Sequence, residues 1–276
     1  MIQNADDCTF AGVNQKQLTP FLRFDVKPDS LVVETNEDGF RRKNVQAICS
    51  TGRSSKKATK IDDHIGEKGF GFKSVFSIAN DVHVQSGPWS FRLRHRQGED
   101  GLGMVTPLDA PPEEIPPNIT TRIVLHFTDE ARQDYARLLE AIQDIPDTTL
   151  LFLRRLRKVQ FTVTDISGKR ERISFDRYDS PQRRVVSGTR VTDDCSMFQD
   201  CTYLLFRATR MNMPHHERRK DRREAEIELA FPVDPVTEQP KLSELGHHVF
   251  AFLPLQRVPQ LQVSQETSQE YFRNTF

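Results

Sequence analysis

The chain has no surplus of charge: 39 Lys and Arg residues stand against 39 Asp and Glu, leaving a formal net charge of zero. No global field therefore draws it to nucleic acid or to an anionic membrane, and any such contact must be local. A run of about twenty apolar residues is also missing, so no membrane-spanning helix is expected and a membrane is excluded as a partner. Cysteines are few, Cys8, Cys49, Cys195 and Cys201, and no signal-like apolar stretch opens the chain. Together these predict reduced thiols in a cytoplasmic or nuclear protein instead of a disulfide framework. Their spacing with His215, His216, His247 and His248 fits no common zinc pattern, and no Ser/His/Asp or Cys/His nucleophile arrangement has local support. The basic run 215–223 is broken by Glu217 and Asp221 and lacks aromatics for base stacking. It reads as a solvated face, and nucleic acid is disfavoured as a partner.

Glycine is scarce as well, 13 residues in 276, which makes the cluster Gly66-Glu67-Lys68-Gly69-Phe70-Gly71-Phe72-Lys73-Ser74 conspicuous. Bare glycine backbone approaches an anion closely, and the unpaired N–H groups of a helix start favour phosphate. Val75, Phe76, Ile78 and Ala79 follow at helical spacing and predict that helix. The order G-x-x-G-x-G is the reverse of the dinucleotide and kinase fingerprints. A P-loop, G-x-x-x-x-G-K-[ST], is missed because Phe72 separates Gly71 from Lys73, and the preceding residues 59–65 are charged instead of forming a buried strand. A glycine-rich turn without ligand is the remaining alternative for the loop taken alone.

Around the loop, Phe21 to Val26 alternates apolar with polar residues. Pro28-Asp29-Ser30 supplies a turn and Leu31 to Thr35 returns, which predicts a hairpin. Residues 41–49 look helical, and the Ser, Thr, Lys and Gly composition of 50–65 suits a covering lid. Further strands are expected at 82–85, 89–95 and 122–127, with a Pro-rich connection at 107–117, and one helix over 130–145. Beyond a domain boundary placed at 150–158, strand-like pieces follow at 159–165, 172–175, 185–191, 202–208 and 225–231. A last buried strand is expected at 248–255, and the polar tail 256–276 is expected to be disordered.

Four pieces occur in the order of one nucleotide-binding class. The loop Gly66-x-x-Gly69-x-Gly71-Phe72-x-Ser74 resembles the second glycine box of the Bergerat-fold (GHKL) ATPases, the class of gyrase B, heat-shock chaperone, histidine kinase and MutL. Gln3-Asn4-Ala5-Asp6-Asp7 resembles its N box, Asn36-Glu37-Asp38-Gly39-Phe40 stands at the place of its first glycine box, and Thr120-Thr121-Arg122-Ile123-Val124-Leu125 resembles its late Gly-Thr strand. With Ala47-Ile48-Cys49-Ser50-Thr51-Gly52 and Ser54-Ser55-Lys56 between the boxes, the chain is most similar to the sacsin and NO VEIN branch over residues 1 to about 130. Val249-Phe250-Ala251-Phe252-Leu253-Pro254-Leu255 resembles a strand that follows the ATPase domain there.

The resemblance implies an α+β two-layer sandwich over 1–150, a mixed, mostly antiparallel sheet with helices on one face, followed by a smaller strand-rich domain over 158–255. It implies ATP and magnesium as ligands and a nucleotide-dependent lid at 50–65. Asn4 would ligate magnesium, as an oxygen donor suited to a hard cation, and Asp7 would lie near the sugar or base. Gly66, Gly69 and Gly71 would wrap the phosphates, with Lys68 and Lys73 as candidate charge partners and Phe70 and Phe72 among the ATP-binding residues of the same loop. Asn36, Gly39 and Thr121 would complete the site. The first glycine box keeps one of its two glycines, so which side chain reads adenine stays open. The class places its general base four residues before the magnesium asparagine, which from Asn4 runs off the start of the sequence. No catalytic residue is therefore assigned, hydrolysis is expected to be weak or absent, and a fragment is the favoured explanation. A client or protein partner is compatible with a chaperone-like role. The alternative is a non-catalytic interaction scaffold that keeps the fold without using nucleotide.

Overall fold

The computed structural model describes residues 1–49, 72, 74–94, 107–212, 224–241, 247–251 and 253–258. Two short helices open it, α1 (Ile2–Asp6) and α2 (Ala11–Gln15), followed by the strands β1 (Phe21–Lys27) and β2 (Ser30–Thr35). In β1, Leu22, Phe24 and Val26 are buried while Arg23 and Asp25 are half-exposed, so the period of two in the sequence becomes a strand with one face in the core. The expected hairpin forms, with Val26 opposite Leu31 and Leu22 opposite Thr35.

Helix α3 (Arg42–Cys49) follows, and then, beyond the glycine loop, β3 (Ala79–Ser86), β4 (Trp89–Arg94), β5 (Pro107–Asp109) and β6 (Thr121–Phe127). After α4 (Asp129–Gln133) and α5 (Tyr135–Gln143) come β7 (Lys158–Thr164), β8 (Arg170–Asp179), β9 (Arg183–Thr192), β10 (Ser196–Arg210) and β11 (Ala225–Val233). These strands form one sheet in the order β11-β10-β9-β8-β7-β1-β2-β6-β3-β4-β5. β1 and β7 pair in parallel, and Phe24 and Phe161 stack there with ring centroids 4.8 Å apart. The neighbours β1-β2, β2-β6, β6-β3, β3-β4, β4-β5, β7-β8 and β10-β11 pair antiparallel. A separate hairpin, β12 (His247–Ala251) with β13 (Leu253–Val258), carries a register shift at Val249/Phe250.

This corrects the expected sandwich. The described chain is mostly strand, an 11-stranded mixed sheet with a few short helices, and not an α+β layer pair with helices on one face. The reasons are local. Among the described residues, the helix expected after the glycine loop is represented by the helical Phe72 and a 3-10 turn, Ser74–Ser77, and it goes no further because Ala79, fully buried, already belongs to β3 opposite Phe127. The helix expected over 130–145 breaks at Asp134, which ends α4 and starts α5. The strand-formers after residue 158 add further strands to the same sheet. The single strand expected at 248–255 is the β12–β13 hairpin.

The chain clusters into two compact units, 1–177 with 186–200, and 178–185 with 201–276. The first unit includes residues 150–158. That unit's core contains the fully buried Leu22, Val26, Val82, Val84, Leu93, Leu125, Phe127, Leu150 and Leu156, each contributing roughly 1.5–3 kcal/mol by burial. Its connection 150–157 is pinned from two sides. Arg177, 4% exposed, donates from Nη1 to the carbonyls of Leu150 and Leu153. From α1, the buried Asp6 carboxylate accepts the backbone N–H groups of Arg154, Arg155 and Leu156 at 2.7, 2.8 and 2.8 Å. In the second unit Tyr203, Leu205 and Val233 are buried, and Arg184 pairs with Asp179 and Glu228 at 2.6 and 3.0 Å.

Candidate functional site

The loop 36–40 leaves β2, and every one of its residues is fastened. Asn36 accepts the Phe21 N–H on Oδ1 and donates from Nδ2 to the Thr19 carbonyl, both at 2.9 Å. Asp38 accepts the N–H groups of Ala11 and Gly12 at 2.9 Å each, satisfying the exposed donors at the start of α2. Burial pushes the Asp38 carboxyl up, but hydrogen bonds from Gly12, Thr9 and Ala11, together with Arg41, outweigh it and hold the group below its ordinary value. Phe40 donates its N–H to Ser86 Oγ at 2.7 Å and accepts the Trp89 indole N–H at 3.0 Å. Gly39 turns at φ +88°, and a Cβ there would stand 3.3 Å from Thr120 Cγ2, so the loop's shape depends on that glycine.

Glu37 is the centre of this arrangement. It is 4% exposed, accepts the Gly39 N–H on Oε2 at 2.8 Å and accepts the Thr121 hydroxyl on Oε1. Thr121 is in turn 2.5 Å from Ser86 Oγ. Burial raises the Glu37 pKa; the hydrogen bonds from Thr121, Gly39 and Ser86 oppose the rise, and the neighbouring Asp38 charge adds to it. Such a group, an acceptor held among donors in a desolvated place, is what recognition of a small polar ligand uses. Cys8, at the end of α1, senses the same carboxylate. Its thiol is pushed up to about 12 by burial, with the Glu37 and Asp7 charges adding and Arg155 opposing.

The structure thus brings Gly39 and Thr121 together on Glu37 and sets Asp7, half-buried, beside the same thiol as Glu37. Asn36 is nearby in the chain, but its amide serves the start of β1. Asn4 is exposed on α1, one turn before Cys8, whose thiol donates to its carbonyl at 3.3 Å. Phe72 is half-buried. Gly66, Lys68, Gly69, Phe70, Gly71 and Lys73, and the expected lid 50–65, lie outside the described residues.

Two residues escaped the sequence reading. Glu37 was legible, since Glu37-Asp38-Gly39 keeps the acid-x-Gly spacing of the first glycine box with one added methylene. Ser86 gave no signal, because a serine at a strand end is ordinary. The donor set fits the ligands implied by the resemblance at two points: a carboxylate oxygen accepts an exocyclic amine, and an exposed asparagine oxygen suits a cation that keeps most of its waters. Among the described residues, no group of three or more His, Cys, Asp or Glu is placed to hold a metal. Among them too, no helix is long and apolar enough to cross a membrane.

No family model matches the chain. It is similar to Protein NO VEIN of Arabidopsis thaliana, 28% identical over 276 residues, which covers 92% of this chain and 9% of that protein. It is also similar to the chaperone protein HtpG of Mesorhizobium japonicum, 30% identical over 151 residues, covering 48% of this chain and 24% of HtpG. For HtpG of Nitrobacter winogradskyi the values are 34% over 123 residues, 40% and 19%. The chain therefore spans less than a quarter of the length of each of these proteins. Its similarity joins a NO VEIN-like sequence to a weaker, HSP90-like one, as the ordered motifs imply.

Proposed function

We propose that this chain binds an adenine nucleotide with magnesium, with Glu37 reading the base. The observation that carries the reading is the buried Glu37 carboxylate held by Thr121 and Gly39, two residues that the motif resemblance had independently assigned to the nucleotide. The similarity to HtpG supports it. Glu37 would accept the purine amine, and Thr121 would fix the carboxylate's rotamer. Asn4 would offer one oxygen to magnesium, which when bound supplies positive charge to the phosphates. The glycine box 66–71 would cradle those phosphates through its backbone. Glu37 is almost fully covered, so a base that reaches it would have to shift its surroundings, and the 37–40 backbone is where protection would change. A chaperone-type role follows only by similarity to HtpG.

Calorimetric titration of the purified protein with ATP and magnesium tests the reading. Saturable binding is expected, weakened by Gly69→Val and by Glu37→Ala; absence of binding, with no response to either substitution, refutes it. One observation favours a rival, a scaffold that does not use nucleotide: both Glu37 oxygens are already hydrogen-bonded within the chain. Nucleotide-dependent protection of residues 37–40 in hydrogen exchange would exclude that rival.

A further inference from the structure

Ser86 is 1% exposed at the end of β3, and it joins three segments of the candidate site. Its Oγ takes the Phe40 N–H at 2.7 Å and lies 2.5 Å from Thr121 Oγ1, which reaches Glu37. The protons can be counted. An amide N–H only donates, so Phe40 occupies a lone pair of Ser86. Thr121 gives its single proton to the Glu37 carboxylate. The short Ser86–Thr121 contact is then a hydrogen bond only if Ser86 is the donor. Ser86 also faces the Glu37 carboxylate, but its short 2.5 Å contact is with Thr121, so the hydroxyls run from Ser86 to Thr121 to Glu37 and Thr121 has no proton left for a ligand.

We propose that Ser86 is a positioning residue for base selection: by donating to Thr121 it commits the Thr121 proton to Glu37, so the site offers acceptors alone and favours a purine bearing an exocyclic amine over one bearing a carbonyl there. The inference rests on the nucleotide reading above. Without the Ser86 hydroxyl, Thr121 loses its donor and its own O–H is free to rotate toward a ligand carbonyl. The Phe40 N–H also loses its acceptor, which loosens the turn at Gly39. A carbonyl facing an acceptor-only pair meets lone pairs on both sides, and this repulsion is what the serine maintains.

Titrations with magnesium and either adenosine or inosine triphosphate, which carries a carbonyl in place of the amine, test this on the full chain. The wild type is expected to prefer the adenosine nucleotide. Ser86→Ala should reduce that preference by roughly three- to tenfold, the value of one hydrogen bond, and Ser86→Thr, which keeps the hydroxyl, should restore it. In a Glu37→Gln background Ser86→Ala should change the preference no further, because the serine acts through that carboxylate. Where the alanine variant does not fold, Ser86→Cys gives the same reading with a similar volume and a weak donor. If the wild type binds and discriminates while Ser86→Ala or Ser86→Cys discriminates equally well, the role of Ser86 is overturned and nucleotide binding stands. If the wild type binds neither nucleotide, both are overturned.

Discussion

Removing the Asp6 carboxylate is expected to cost more stability than any substitution at the protein surface. Its side chain is 3% exposed and accepts three backbone N–H groups, from Arg154, Arg155 and Leu156, across 148 to 150 residues of sequence. Arg155 strengthens the junction by donating from Nη1 to the carbonyl of Asp7 at 2.6 Å. A hydrogen bond to a charged group is worth about 1.5–3 kcal/mol net, but three that share one acceptor do not add, and the buried carboxylate carries its own desolvation cost. Asp6→Ala leaves three amides without that acceptor and is expected to destabilise by about 3–5 kcal/mol. Asp6→Asn is isosteric. Its oxygen can keep Arg155 and Leu156, while its NH2 must face the Arg154 N–H, donor against donor, for a cost of about 2–3 kcal/mol. For a chain of this size that corresponds to a fall in Tm of about 5–10 °C for Asn and more for Ala. Urea unfolding followed by circular dichroism gives the energies, and amide exchange at 154–156 gives the location. Asp129→Ala, at an 87% exposed side chain, is the control and should be neutral within about 0.5 kcal/mol. The reasoning fails if Asp6→Ala stays within about 1 kcal/mol of wild type, or if protection of residues 154–156 is unchanged.

Three further outcomes are expected. Because the folded-state pKa of Glu37 lies above its unfolded value, the native state holds the proton longer. Wild-type stability should therefore fall as pH rises from the ordinary glutamate range through the folded pKa. Glu37→Gln should lack that fall, so the gap between the two urea midpoints should move in the variant's favour as pH increases, and parallel profiles from pH 4 to 7 would show the assignment to be mistaken. Gly39→Ala must hold a side chain at φ +88° with its Cβ 3.3 Å from Thr120 Cγ2, which should cost about 1–3 kcal/mol, measurable as a Tm loss. An alanine variant as stable as wild type would mean that the turn relaxes. Tyr135→Phe removes a hydroxyl that donates to the Thr164 carbonyl at 2.6 Å and lies 3.3 Å from that of Val26. A loss of about 1–2 kcal/mol is expected in equilibrium unfolding, and a neutral result would mean that the two carbonyls find other donors.

The sequence by itself determined the local pieces. Alternation at 21–26, the Pro28-Asp29 turn and the return at 31–35 specify a hairpin because side chains on a strand alternate faces and the turn residues fix the reversal. The order of the motifs resembles that of a nucleotide-binding class, and it was this resemblance that named Thr121 and Gly39. Only the tertiary structure decided which neighbours those pieces meet. The parallel pairing of β1 with β7, the grip of Asp6 on residues 154–156 and the contact of Ser86 with both Phe40 and Thr121 join positions up to 150 apart. Nothing in local composition encodes such distances. The same holds for the sheet: strand propensity shows that residues after 158 are extended, but whether they join an existing edge or build a second layer depends on which edge is open. For Glu37 and Asn36, adjacent and both polar, the sequence could not say which holds the start of β1 and which reaches Thr121. The direction of each side chain from the end of β2 decided it, sending Asn36 to the backbone of β1 and Glu37 to Thr121.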